Sequence, residues 1–223
     1  MRVEPTSAQK AFVLLLPVLI VPSTALVFVL ASTWLGAALG YVLGFLFYWT
    51  VWCLLVPLLI LSRAGIGSLF REKAPLFRKA NRLPAALLVL MVTITLILYP
   101  PAGLLAAPLQ LLLLAIPVAI INGVCEELLW RGLYVSVFPQ NPVLGVLYPS
   151  MGFAIWHFSP QLIVPATTGA WTLVIATFFL GLGYGWISYR TGSIKWNAVA
   201  HSLGGILDLG GAIAPSILAL LLG

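Results

Sequence analysis

The chain has 223 residues and a formal net charge of +6 at neutral pH, but only 7% of its residues are charged and 62% are hydrophobic. An average soluble protein has about 25% charged residues, and a surface with so few charges cannot cover a globule in water. The composition therefore excludes a soluble globular protein and indicates a protein that crosses a membrane several times.

A transmembrane helix needs about 20 apolar residues, and six apolar runs of about that length precede Arg190. They are, in chain order, Ala11–Ala31, Gly36–Leu61, Pro84–Tyr99, about 109–138, about 141–158 and Ala170–Tyr189. Two shorter apolar pieces follow, Ile194–Leu209 and Ala212–Leu222, which form either two short helices or one broken helix. We therefore predict an all-α polytopic membrane protein with about eight transmembrane or partly spanning helices.

The basic residues lie at the ends of these runs. Arg190 and Lys195 flank the loop after the sixth run, and six further bases crowd the segment 62–83, namely Arg63, Arg71, Lys73, Arg78, Lys79 and Arg82. Lysine and arginine accumulate on the cytoplasmic side of membranes, so we expect a multi-pass protein of a prokaryotic inner (cell) membrane with a cytoplasmic N-terminus. Because Leu69, Phe70, Leu76 and Phe77 lie among the bases of 62–83, this cytoplasmic loop is expected to contact anionic lipid rather than nucleic acid.

Only five carboxylates occur in the whole chain, and three of them lie within apolar stretches. Glu4 and Glu72 belong to hydrophilic segments, whereas Glu126, Glu127 and Asp208 do not. A charge inside the bilayer costs several kcal/mol at least, so intramembrane acids are by default candidates for functional residues.

The fourth run contains two adjacent acids followed by a base on the same helix. Glu127 and Arg131 are four residues apart, so they share a helical face and can pair. Glu126 is rotated by about 100° from Glu127, and the two carboxylates therefore need no common partner. We expect Arg131 to hold one glutamate while the other faces a cavity, where it is suited to act as a general base.

Both histidines of the chain also lie in apolar segments, His157 at the end of the fifth run and His201 in the first piece of the tail. At about 1.5 Å per residue, Glu126 lies about 15–20 Å from the inner end of its helix. The same rise places His157 about 20 Å and His201 about 10 Å from the inner ends of theirs. These depths are compatible with one chamber in the cytoplasmic half or the middle of the membrane.

These motifs resemble those of the CPBP intramembrane proteases, which include type II CAAX prenyl endopeptidases and bacteriocin-processing or immunity proteins. The resemblance rests on Glu126-Glu127-x-x-x-Arg131, continued by Gly132-Leu133, then Phe153-x-x-x-His157 and the later His201. It covers about residues 109–208, and we accordingly divide the chain into N-terminal spans, 1–108, and a catalytic helical core, 109–223.

The resemblance implies hydrolysis of a peptide bond, within the membrane, in a membrane-embedded or lipidated substrate. It implies that Glu126 polarises the attacking water with the aid of His157, that Glu127 and Arg131 form a supporting pair, and that His201 stabilises the oxyanion. The family pattern also has an asparagine or aspartate four residues after the last histidine, where this chain has Gly205. Asp208 follows seven residues after His201 and is a candidate substitute for that residue, or alternatively a helix cap.

Two other functions remain open at this point. A proton-coupled transporter could use the glutamate pair as a relay, and a non-catalytic immunity or interaction protein could share the fold without the activity. We favour a metal-free site without a cofactor, because no His-Glu-x-x-His pair lies on one helix. Zinc held by the two histidines and two glutamates stays open as an alternative.

Overall fold

The computed structural model describes residues 5–222 of the chain. It is 83% helical and contains no strand among those residues, which confirms the predicted all-α membrane protein. Large apolar side chains remain exposed on the outer faces of the bundle, as a lipid environment requires. Leu59 is 71% exposed, Ile97 is 72% exposed and Leu105 is 90% exposed.

Within residues 5–222, five helices are long and apolar enough to cross a membrane. They are α1 (Ser7–Leu35), α2 (Ala37–Leu69), α3 (Lys79–Ala106), α4 (Leu109–Val137) and α6 (Ala170–Thr191). Helix α1 begins four residues earlier than the apolar run predicts, because Thr6 and Gln9 form a capping box. The Gln9 backbone N–H donates to Thr6 Oγ1 at 3.2 Å, which satisfies one of the free donors at the helix start.

Three shorter helices complete the predicted total of eight. The expected fifth span, 141–158, is instead α5 (Tyr148–Trp156), preceded by a π-helical turn, Val143–Leu147. It ends at His157, after which the chain makes one further helical turn, Phe158–Gln161. The predicted fifth run is therefore present as a helix, shorter than the five long ones, that ends at the histidine.

The tail forms two helices, which answers the question that the sequence left open. Helix α7 (Lys195–Leu207) and helix α8 (Ile213–Leu222) are separate elements. Between them Leu209, Gly210 and Gly211 have positive φ angles of 53°, 75° and 57°. This left-handed backbone ends α7 and is accessible to glycine at little cost.

The basic segment is shorter than predicted at its beginning. Helix α2 continues through a kink at Ser62 (φ 62°) and ends only at Leu69, so the first part of the predicted loop 62–83 is helical. The Ile194 backbone N–H donates to the Leu69 carbonyl oxygen at 2.8 Å, and Lys73 N–H donates to the Thr191 carbonyl at 2.9 Å. Both basic segments therefore lie at one end of the bundle, which we call the basic end.

Helices from both predicted parts of the chain build one hydrophobic core. Its buried members include Val13 of α1, Tyr48 of α2, Trp130 of α4, Phe153 of α5 and Ile213 of α8. The division into 1–108 and 109–223 stays a prediction about function, since packing alone does not separate the two parts.

Helix α7 packs along α4 at close range, and this contact positions the candidate site. A Cβ atom added at Gly123 would lie 2.8 Å from the Ser202 backbone nitrogen, and one at Gly205 would lie 2.9 Å from Ala119 Cβ. Because both distances are shorter than van der Waals contact, glycine at 123 and 205 lets the two helices approach each other. The approach brings His201 of α7 beside the acids of α4.

Candidate active site

The glutamate pair lies in α4 at the point where its helical geometry changes. The α-helical part ends at Glu127, and a π-helical turn, Leu128–Leu133, follows directly. Such wider turns are rare and frequently occur at functional sites. Glu127 Oε1 lies 2.9 Å from the Arg131 guanidinium, and both side chains are almost completely buried. The predicted pairing of these two residues is therefore present.

His201 connects the two glutamates, which the sequence did not predict. Its Nδ1 atom lies 3.0 Å from Glu127 Oε1, and its Nε2 atom lies 3.4 Å from Glu126 Oε2. The two carboxylates therefore share a partner although they point to different sides of α4. His201 stands between the supporting pair and Glu126.

The formal charges of this buried cluster sum to zero when it holds one proton in addition to those of Arg131. Two carboxylates face one guanidinium, so the four side chains Glu126, Glu127, Arg131 and His201 are neutral together when one proton is held between Glu126 and His201. Burial strongly favours such a neutral set, because an uncompensated buried charge costs several kcal/mol. The cluster thus contains an acid and a base in contact at low dielectric.

The Phe153 ring contacts Arg131 and both histidines. These contacts give a physical reason for a phenylalanine at this position of the motif. The Arg131 guanidinium carbon lies over the Phe153 ring at 4.2 Å from the centroid. The rings of His157 and His201 meet the same phenyl ring edge-on, at centroid distances of 4.6 Å and 6.4 Å. One phenyl ring therefore sets the positions of both histidines relative to Arg131.

The spacing Phe153-x-x-x-His157 also fixes which nitrogen of the second residue carries its proton. His157 Nδ1 lies 2.8 Å from the Phe153 carbonyl oxygen, one helical turn earlier. A carbonyl oxygen only accepts hydrogen bonds, so Nδ1–H is the donor. In the neutral ring this leaves Nε2 as a hydrogen-bond acceptor.

A chamber of about 1180 Å³ is lined by three of the predicted site residues. Glu126, His157 and His201 all line it, which confirms that the three can face one chamber. Glu127 and Arg131 are buried and are not part of its wall. Glu126, His157 and His201 can therefore touch a molecule in the chamber, whereas Glu127 and Arg131 lie behind the wall.

The chamber reaches the end of the bundle opposite the basic end. Its wall there includes Tyr99 in the last part of α3, Thr168 before α6 and Asp208 after α7, and each of these residues is exposed. We call this region the chamber mouth. Most of the remaining wall is aliphatic, with side chains such as Leu90 and Ile94 of α3.

Asp208 lies at the chamber mouth and not beside the glutamates. It follows His201 by seven residues on α7 and its turn, which corresponds to about 10 Å along a helix. The position where the family has an asparagine or aspartate is Gly205, and Ala119 of α4 fills the space that a side chain would need. Asp208 thus lines the chamber but does not take over the place of the missing residue.

The sequence interpretation missed two polar residues at the site. Asn122 lines the chamber one helical turn before Glu126, and the Trp49 indole N–H of α2 donates to Asn122 Oδ1 at 2.9 Å. The spacing of four residues between Asn122 and Glu126 was visible in the sequence as a shared helical face. The contact with Trp49 joins residues that are 73 positions apart, and no local pattern reveals it.

Among residues 5–222, no group of three or more His, Cys, Asp or Glu side chains is arranged to hold a metal ion. Cys53 and Cys125 are buried free cysteines.

Fold and site together define a polytopic helical membrane protein with a buried Glu-Glu-Arg-His cluster that opens into a chamber. Residues 108–207 match the family of type II CAAX prenyl endopeptidase Rce1-like proteins, which confirms the recognition of the CPBP family and gives this segment a CAAX-type protease fold. The matched segment contains α4 to α7 and thus every residue of the predicted site. No curated protein and no solved structure matches the chain.

Proposed function

We propose that this protein is an intramembrane endopeptidase that hydrolyses a peptide bond of a membrane-associated or prenylated protein with a water molecule activated by Glu126. The observation that carries the proposal is the position of Glu126. Its carboxylate lines the chamber, touches His201 and is backed by the buried Glu127–Arg131 pair. The family match supports the same class of reaction.

In the proposed reaction Glu126 removes a proton from water while the oxygen attacks the carbonyl carbon of the scissile bond. The lone pair on His157 Nε2 accepts a hydrogen bond from the same water and orients it. The tetrahedral intermediate then collapses, the C–N bond breaks, and the proton on Glu126 passes to the leaving amine. Before the attack His201 holds the proton of the cluster and leaves Glu126 ionised. The proton taken from water then gives the cluster one positive charge, which balances the negative oxygen of the intermediate until that proton passes to the leaving amine.

The mainly aliphatic chamber supports an apolar substrate. Side chains such as Leu90 and Ile94 offer an acyl, prenyl or transmembrane segment no hydrogen bonds but a large contact surface. Burial of apolar area contributes roughly 25 cal/mol per Å², enough to hold a lipidated peptide beside Glu126.

Purified protein in proteoliposomes, given a fluorogenic farnesylated peptide, tests this proposal. We expect cleavage by the wild-type protein and none by the Glu126→Ala variant. Equal turnover in both preparations would contradict the assignment of Glu126. Peptide uptake driven by a proton gradient, with no product, would favour a transporter.

We also propose that the basic end faces the cytoplasm, so that the chamber mouth opens on the other side of the membrane. The prediction is tested in a background where Cys53 and Cys125 are replaced by alanine. A membrane-impermeant maleimide should label Thr168→Cys in right-side-out vesicles and Lys79→Cys only after lysis. The reverse pattern would invert the orientation. Both positions are exposed on the protein, so a cysteine that the maleimide does not label is shielded by the membrane and not by the protein.

The basic end is further proposed to bind anionic lipid. Arg71, Arg78 and Lys79 are exposed there beside Phe77, which is 64% exposed. Each base near an anionic surface contributes about 1 kcal/mol. Replacement of all three bases by glutamine should therefore greatly reduce the phosphatidylglycerol that co-purifies with the protein, measured by native mass spectrometry. An unchanged lipid content would refute this role, and a neutral lipid serves as the control.

A further inference from the structure

Hydrolysis by water produces a negatively charged oxygen on the tetrahedral intermediate, and a catalyst needs N–H or O–H donors aimed at that oxygen. The residue that the family resemblance assigns to this task, His201, has both ring nitrogens beside carboxylates, at 3.0 Å and 3.4 Å. Gly205, where the family pattern has a second polar residue, has no side chain. In this structure neither position presents a free donor to the chamber.

We infer that Asn122 supplies the amide donor that stabilises the oxyanion, an inference that rests on the proposed function. Asn122 lies one turn before Glu126 on α4 and lines the same chamber. Residues four apart share one face of a helix, so the Asn122 side chain lies on the same side of α4 as Glu126. A carbonyl group attacked by water at Glu126 would therefore lie beside the Asn122 side chain.

The contact with Trp49 determines the orientation of this amide. An indole N–H can only donate, so the Asn122 atom at 2.9 Å is the oxygen Oδ1. The NH₂ group is then not bonded to Trp49, and because Asn122 lines the chamber this donor is available to a bound molecule. Since Trp49 is buried and its ring packs on Phe45, the orientation is set before substrate binds.

The packing of α7 on α4 explains why the donor stands at 122 and not at 205. A side chain at Gly205 would collide with Ala119, because its first carbon atom would already lie 2.9 Å from Ala119 Cβ. Asn122 follows Ala119 by three residues and lies on the chamber side of α4. At the contact between α4 and α7, an amide on α4 can therefore reach the chamber where a side chain at position 205 of α7 has no room.

The test uses Asn122→Leu, which keeps the volume and removes the donor, in proteoliposomes with the fluorogenic farnesylated peptide. We expect kcat to fall by about 10²–10³-fold, the usual effect of losing one oxyanion donor, with KM within threefold of wild type. Trp49→Phe keeps an aromatic ring and the donor on Asn122 but removes the orienting bond, so kcat should fall by a smaller factor, about fivefold for a bond of ordinary strength. Asn141→Leu, the same change at an exposed asparagine outside the chamber, should leave kcat unchanged.

Several results would overturn the inference. Unchanged kcat in Asn122→Leu would remove Asn122 from the reaction, and a higher KM with unchanged kcat would make it a substrate-binding residue instead. In either case an inactive Glu126→Gln variant would leave the proposed function standing. If the wild-type protein itself cleaves no peptide, the proposed function fails and the role of Asn122 fails with it. Thermal unfolding of each variant in detergent separates loss of catalysis from loss of folded protein.

Discussion

Replacement of Glu126 by glutamine should lower kcat by about 10²–10⁴-fold while the protein remains folded. The amide has the shape of the carboxylate but cannot accept the proton of the attacking water, and general bases of this kind contribute about 10²–10⁴-fold. Glutamine can still hydrogen-bond to His201, which lies 3.4 Å from the carboxylate. The loss should therefore appear in kcat and not in the melting temperature.

The matched control for this variant is Glu72→Gln. Glu72 lies at the basic end, where its carboxylate accepts hydrogen bonds from the Leu76 backbone and the Trp196 indole. The same chemical change at this site should leave kcat within a factor of two or so, because the residue is remote from the chamber. Residual cleavage by Glu126→Gln above about a tenth of the wild-type rate would contradict a general-base role.

Replacement of Arg131 by methionine should destabilise the protein by about 3–5 kcal/mol, the usual effect of removing one partner of a buried ion pair. Glu127 would keep His201 but lose the guanidinium at 2.9 Å. Phe153 would also lose the cation over its ring. The measurement is the free energy of unfolding in bicelles or detergent.

A double variant separates charge from packing. Glu127→Leu combined with Arg131→Met removes both charges and fills much of the same volume, so it should recover part of the stability lost in Arg131→Met alone. Wild-type stability in Arg131→Met would show that the pair does not hold α4 in place. A double variant less stable than both single variants would show that shape, and not charge, dominates at this position.

Much of the fold could be predicted because the bilayer imposes a minimum length on apolar helices. Helices α1, α2, α4 and α6 lie where the apolar runs indicate them. The errors concern helix ends. Helix α1 begins at Ser7 and not at Ala11, and α2 ends at Leu69 and not at Leu61, because polar residues that cap or extend a helix do not belong to an apolar run.

The site was predictable where its geometry is local. The pairing of Glu127 with Arg131 follows from helical spacing alone. The bridge from His201 to both glutamates depends on how closely α7 approaches α4, and the Trp49–Asn122 contact depends on the packing of α2. Such distances between helices are decided by tertiary packing and are not encoded in any short motif.

The most direct test of the central claim is a comparison of membrane peptides, by mass spectrometry, from cells that produce the wild-type protein or the Glu126→Gln variant at equal levels. Proteolysis by Glu126-activated water predicts at least one cleaved membrane-associated peptide that accumulates only with the wild-type protein, while its uncleaved precursor accumulates with the variant. Identical peptide profiles, together with an unchanged cellular phenotype, would contradict the claim. That result would point to a non-catalytic immunity or interaction protein on the same fold.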